Sequence, residues 1–192
     1  MKRIISASIF SAIIISVITG QITDFPVNES THKISFRETL QDIPFSGAEI
    51  ELRIKEWYDT FFKDSEEHLD HVTSVNGRTF IKAHSVFPVN SVENGKSREY
   101  TIRMNYDLRF FIRDKELRYE LTNIVYGTPQ NPSLMSAETL FDEWHLKASK
   151  ADVKTQDEKL NLAKSYLQYQ INTQLVINRV TESLQVYLYP EE

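Results

Sequence analysis

The chain has no cysteine among its 192 residues. That excludes disulfides, thiolate zinc sites, a cysteine nucleophile and lipid attachment through an N-terminal cysteine. Glycine is scarce as well, with five in all, and no phosphate-cradling glycine loop occurs. Gly47, Gly77, Gly95 and Gly127 fall at a predicted helix start, turns and a strand end, where they read as backbone punctuation. No nucleophile-elbow or zinc-protease pattern is present. Positive charge is in deficit: 22 Lys and Arg stand against 27 Asp and Glu, a net of −5. Such a chain is a poor general partner for phosphate backbones or anionic lipid, so nucleic acid is not an expected partner. Apolar residues make up 41%, too many for a disordered chain, and no short repeat appears. The length suits one ordinary domain.

There is one long apolar run, and it lies at the start. Lys2 and Arg3 precede an uncharged stretch over residues 4–18, and Gly20 offers a small residue before Gln21. This is the three-part pattern of a secretory signal. The run is about 15 residues, short of the ~20 that span a bilayer. Residues 1–20 are expected to be removed, placing the mature protein in the periplasm, at the cell surface or outside. The bulky Ile18 leaves an uncleaved anchor as the other reading. Cleavage removes Lys2 and Arg3, leaving 20 Lys and Arg against 27 Asp and Glu, a net of −7. No later segment is apolar enough to span a membrane, so no transmembrane segment is expected after cleavage.

Residues 21–31 are polar and aperiodic and read as a flexible leader. His32 to Leu40 reads as a strand, with Ile34 and Phe36 on one face. Ser46-Gly47-Ala48-Glu49 is a capping box. The helix after it carries Ile50, Ile54, Trp57, Tyr58 and Phe61 on one stripe. Asn76-Gly77 marks a hairpin turn between strands at Val72–Val75 and Arg78–Phe87. Pro88 is expected to close the second of these, with a polar loop over residues 89–97.

Residues 98–126 carry the clearest pattern. Tyr100, Ile102, Met104, Tyr106, Leu108, Phe110 and Ile112 alternate on one face. Leu117, Tyr119, Leu121 and Val125 continue after a turn at Asp114-Lys115. Pairing Ile112 with Leu117 sets Phe110 opposite Tyr119, Leu108 opposite Leu121 and Tyr106 opposite Asn123. The same register sets Arg113 against Glu116 and Arg109 against Glu120 on the wet face, which supports it independently. Ser136 caps a short helix with Leu140, Phe141, Trp144 and Ala148 inward. After a polar joint, a second capping box at Thr155–Glu158 starts a final helix. Leu160, Ala163, Leu167, Ile171, Leu175 and Leu184 mark its expected inner stripe. The resulting fold class is α+β: a two-layer sandwich with a five-stranded antiparallel sheet in β-α-β4-α order, backed by helices. The single domain is expected over residues 32–188, with a sheet core at 32–127 and C-terminal helices at 135–188.

Few residues carry recognisable chemistry. His68, Asp70 and His71 have ligand chemistry, but beside Glu66 and Glu67 they read as a solvated polar loop, so no metal site is assigned. His84 and His145 show no partner. Arg98, Arg103, Arg109, Arg113 and Arg118 surround Phe111 on the long hairpin, and nearby acids make this a salt-bridged solvent face. No catalytic residue and no cofactor is assigned. Tyr100, Met104, Tyr106, Tyr119 and Asn123 bring polar tips to the dry face. They either line a ligand cavity or complete a solid core, with Asn123 bonded to Tyr106.

The helix ELRIKEWYDTFF, the strand GRTFIKAH, the hairpin YTIRMNYDLRFFIRDKELRYELTNIVY, the segment ETLFDEW and the terminal helix are similar to an exported bacterial family. It is known as a domain of unknown function with a TBP-like fold, and the likeness covers about residues 32–188. Asp114-Lys115 departs from it, standing where Asp-Gly is expected. The resemblance implies a curved antiparallel sheet backed by helices, export to the envelope, and no catalytic residues. The fold alone implies no DNA binding. The expected function is therefore a non-enzymatic envelope binding module, for a protein partner or an apolar small molecule held between sheet and terminal helix. The alternatives are a hydrolase acting on envelope material and a purely structural domain.

Overall fold

The computed structural model describes residues 25–75, 77–93, 96–149 and 156–190. Several expectations lie outside these residues: the export signal, the leader up to residue 24, Asn76 of the turn, Gly95, the joint at 150–154 and the cap at Thr155. The side chains of His145 and Ala148 lie outside them too.

Ser46 starts helix α1 (Gly47–Asp64) through the expected capping box, its amide donating to the Glu49 carboxylate at 2.8 Å. This satisfies amides that the first helical turn leaves without partners. Ile50, Ile54, Trp57, Tyr58 and Phe62 are buried, while Phe61 is half-buried and stacked on Trp57 at 5.1 Å.

The strands are β1 (Val27–Asn28), β2 (Lys33–Leu40), β3 (Glu67–Val75), β4 (Arg78–Glu93), β5 (Lys96–Arg113), β6 (Glu116–Gly127) and β7 (Met135–Ser136). They form one antiparallel sheet in the order β1-β2-β6-β5-β4-β3, with β7 also paired to β6. Helices α2 (Ala137–Ser149) and α3 (Gln156–Leu188) complete the α+β fold. At 1.5 Å per residue, α3 is about 50 Å long. The core lies between α1, α3 and the face of the sheet that carries Ile81, Met104, Tyr106, Leu108, Phe110 and Leu121.

The strand count is seven rather than five. The additions, β1 and β7, have two residues each, too short to show periodicity. β1 also corrects the flexible leader over its described part. Phe25 is buried and packs edge-on against Phe36, and Val27 pairs with Ile34.

Pro88 does not end its strand. β4 continues to Glu93, and residues 89–93 and 96–97 belong to the β4–β5 ladder rather than a loop. The β3 ladder ends at the pair Glu67–Ser85. Beyond it, β4 has an open edge, where a residue without an N–H sacrifices no ladder bond.

The hairpin register holds for Ile112–Leu117, Phe110–Tyr119, Leu108–Leu121, Arg109–Glu120 and Arg113–Glu116. It fails at Asn123. The ladder shifts by one residue between Asp107–Thr122 and Asn105–Val125, and Asn123 has φ +53°. The extra residue reverses the alternation beyond it. Ile124 and Tyr126 become the buried residues, and Val125 is only half-buried. Asn123 leaves the core face and donates to Asp107 instead of bonding Tyr106.

Helix α3 also presents a different face from the one expected. Tyr166, Gln170, Thr173, Val176, Val180 and Leu184 are buried. Leu160, Leu167, Ile171 and Leu175 are exposed, so Leu184 alone of the predicted leucine and isoleucine stripe reaches the core.

Candidate functional site

The chosen face of α3 answers the polar tips of the sheet. Buried hydroxyls need partners, and threonine and serine supply them without leaving a void. Tyr126 Oη lies 2.7 Å from Thr173 Oγ1, and Tyr119 Oη lies 2.9 Å from Thr181 Oγ1. Tyr119 also donates to Glu38. Thr173 Oγ1 donates to Met104 Sδ at 3.4 Å, and Trp57 Nε1 donates to Ser183 Oγ at 2.9 Å. Burial pushes the phenols of Tyr106, Tyr119 and Tyr126 well above the usual tyrosine range.

Of the residues considered for a ligand cavity, Met104, Tyr106 and Tyr119 meet on the core face, and Tyr100 is half-buried at the core margin. Asn123 is separated from them by the bulge. Tyr126 joins them instead. An asparagine inside an otherwise alternating strand, a residue type that enters the left-handed region more readily than most, is the sequence signal that could have found it.

A buried carboxylate stands at one end of this interface. Glu67 is 0% exposed and accepts from Arg179 Nε at 2.9 Å and from Tyr106 Oη at 3.2 Å. Its own amide donates to Ser65 Oγ. The polar run at residues 66–71, read as a solvated loop, is therefore largely strand. Glu67 takes a core position in it because α3 brings Arg179 to neutralise the charge.

Beside Glu67 an open cleft of about 420 Å³ lies between the edge of β4 and α3. Its walls include Glu66, His68, Val86, Pro88, Leu175 and Arg179. Further along the same edge, Asn90 binds α3 through both main-chain groups. Its N–H donates to Gln168 Oε1 at 2.8 Å, and its carbonyl accepts from Gln168 Nε2 at 2.9 Å. Main-chain groups of a strand face its two sides alternately. Val86, Pro88 and Asn90 therefore share the outward-facing set.

On the other side of the cleft rim, His68 and His84 are directly opposite each other on β3 and β4, with ring centroids 4.8 Å apart. The ladder shifts between Leu69 and His71, and this irregularity sets Asp70 beside His84. Both Asp70 oxygens lie 3.0 Å from His84 Nδ1, and Arg103 Nη2 donates to them at 3.2 and 3.1 Å. His84, read as partnerless, thus has a carboxylate and a second imidazole as neighbours. Burial pulls its imidazole below the usual histidine value, Asp70 opposes this, and the Arg103 and His68 charges add to the lowering. His71 faces Thr73 instead, at 2.9 Å.

Three of the basic hairpin residues, Arg103, Arg109 and Arg118, are engaged with acids or a ring. Arg109 lies 3.8 Å from Asp107 and 3.9 Å from Glu120, and Arg118 lies 4.4 Å above the Phe111 ring. Among the described residues, no helix is long and apolar enough to cross a membrane.

Comparison with curated proteins gives no match. Two solved structures are similar. A DUF4468 family protein from Bacteroides ovatus is 16% identical, with a TM-score of 0.47 over 82% of this chain and 90% of that one. A TBP-like protein from Parabacteroides distasonis is 18% identical, with a TM-score of 0.40 over 81% of this chain and 96% of that one. Residues 36–127, from β2 through β6, match the family described as "Domain of unknown function (DUF4468) with TBP-like fold". It is over this stretch, 92 of the 192 residues, that the chain is similar to that family.

Proposed function

We propose that the protein is an exported, non-enzymatic binding module that takes an extended apolar segment of a protein partner into the cleft between β4 and α3. The observation that carries this is the exposed Leu175 of α3 lining the cleft with the open edge of β4, while Ile171 and Leu167, one and two turns earlier on the helix, are exposed as well. Leu175 is 45% exposed and Val86 40%, and both line the cleft. An extended segment can pair with the outward N–H and carbonyl of Val86 and the carbonyl of Pro88 while its side chains cover these apolar groups. A protein partner is favoured over an apolar small molecule because Tyr106, Tyr119 and Tyr126 direct their hydroxyls to Glu67, Thr181 and Thr173.

Export rests on Lys2, Arg3, the apolar run at 4–18 and Gly20. A mature mass beginning at Gln21 supports it, and a chain that retains residues 1–20 in the envelope fraction counts against cleavage.

Photo-crosslinking residues placed at 86, 171 and 175 in cells test the docking. The expected result is one adduct of the same mass at all three positions, lost in Leu175→Glu and absent with the probe at the exposed Asp114 of the β5–β6 turn. No adduct, or equal adducts at residue 114, removes the reading.

A further inference from the structure

We propose that His68 and His84, with Glu66 as the third ligand, bind a first-row divalent transition ion at the rim of the cleft. The two histidines are a cross-strand pair on the same sheet face, with rings 4.8 Å apart and tilted by 33°. Side chains directly opposite on antiparallel strands sit close enough to share one ion. Asp70 holds His84 by Nδ1 at 3.0 Å, which leaves the Nε2 lone pair directed away from the carboxylate. A carboxylate behind an imidazole in this way orients a metal ligand and raises its basicity. Asp70 is itself fixed by Arg103 at 3.1 Å.

Glu66 lies two residues before His68, next to the start of β3, and lines the same cleft. Its side chain is 80% exposed and lies 3.8 Å from Arg179, a contact weak enough to exchange. The cations nearby do not forbid a metal, because Arg103 is matched by Asp70 and Arg179 by Glu67. Among the described residues, no three such side chains already converge on one point. Loading requires rotation of the His68 ring and movement of Glu66, with water filling the remaining positions. Two imidazoles and a carboxylate suit Zn²⁺ and Cu²⁺, with Cu²⁺ the tighter in the general affinity order.

The test is calorimetric titration of the chain with ZnCl₂ and CuSO₄, paired with amide NMR of the Cu²⁺-loaded protein. We expect one ion per chain, Cu²⁺ tighter than Zn²⁺, and paramagnetic broadening centred on residues 66–70 and 83–86. His68→Gln and His84→Gln should each weaken binding by about 100-fold. Asp70→Asn, a positioning change, should weaken it by about 10- to 100-fold. His71→Gln should leave binding unchanged, although it lies on the same strand. His68 and Glu66 are exposed, so His68→Gln and Glu66→Gln carry the test should His84→Gln fail to fold. Absence of saturable binding overturns the proposal. So does binding that His68→Gln leaves within about twofold, or that His71→Gln weakens as much.

Discussion

Two carboxylates show how a residue's neighbours decide what it does. Glu67 is buried against Arg179 and Tyr106. Removing one charge of a buried pair leaves the other without compensation. Glu67→Gln is therefore expected to destabilise the fold by about 2–3 kcal/mol, towards the low end because Arg179 keeps partial access to water. Urea unfolding measures this directly. Glu120 is also buried, which pushes its carboxyl up. Hydrogen bonds from Ser35 and Arg37 outweigh that, aided by the Arg37 and Arg109 charges, and its value lies below the usual carboxylate one. The unfolded chain therefore takes up this proton first as pH falls. The stabilisation is complete above the ordinary carboxylate value and is lost as pH drops through it towards the folded one. In thermal melts between pH 7 and pH 3, Glu120→Gln is expected to flatten the acid-side loss of stability. It should also cost about 1.5–3 kcal/mol at pH 7, through the lost charged hydrogen bonds. Of these contacts only the pairing of Glu120 with Arg109 is visible in sequence. Glu67 sits in a polar run, and its partner is more than a hundred residues away.

Elements were legible where local chemistry closes on itself. The Ser46–Glu49 box and the register from Ile112–Leu117 to Leu108–Leu121 involve neighbours in sequence or across a tight turn. The turn itself is strained, since Lys115 has φ +56°, a region that favours glycine. Lys115→Gly is expected to stabilise the protein by up to about 1 kcal/mol, read as a raised midpoint in urea with an unchanged slope. The contact from Ile43 N–H to the Lys115 carbonyl uses only backbone and should survive. Alternation misled where one residue broke it. The bulge at Asn123 exchanged Asn123 and Val125 for Ile124 and Tyr126 on the core face. At Pro88 the error had the opposite sense, because proline ends a central strand but is tolerated on an edge.

At the scale of the whole molecule, the sheet and α3 are matched by hydrogen bonds as well as by apolar packing. Thr173→Val should destabilise the protein by about 1–3 kcal/mol, because the buried Tyr126 hydroxyl loses its partner. Tyr126→Phe in the same chain should recover part of this loss, and the coupling from a double-mutant cycle measures the pair. Helical spacing in α3 offered a stripe of leucines, yet the molecule buries tyrosine, threonine and valine there and leaves Leu160, Leu167, Ile171 and Leu175 in water. The cleft, the His68–His84 pair and the ion pair of Glu67 with Arg179 follow from that same docking and from where β3 stops along β4. The sequence by itself determined the α+β fold class, the Ser46 helix cap, the antiparallel pairing and most of one hairpin's register. Periodicity, capping and turn chemistry act over a few residues, so a linear reading captures them. The tertiary structure alone decided which face of α3 is buried, that Glu67 is neutralised by Arg179, and which histidines meet. Those choices depend on partners distant in the chain, and on the cost of burying a polar group without one.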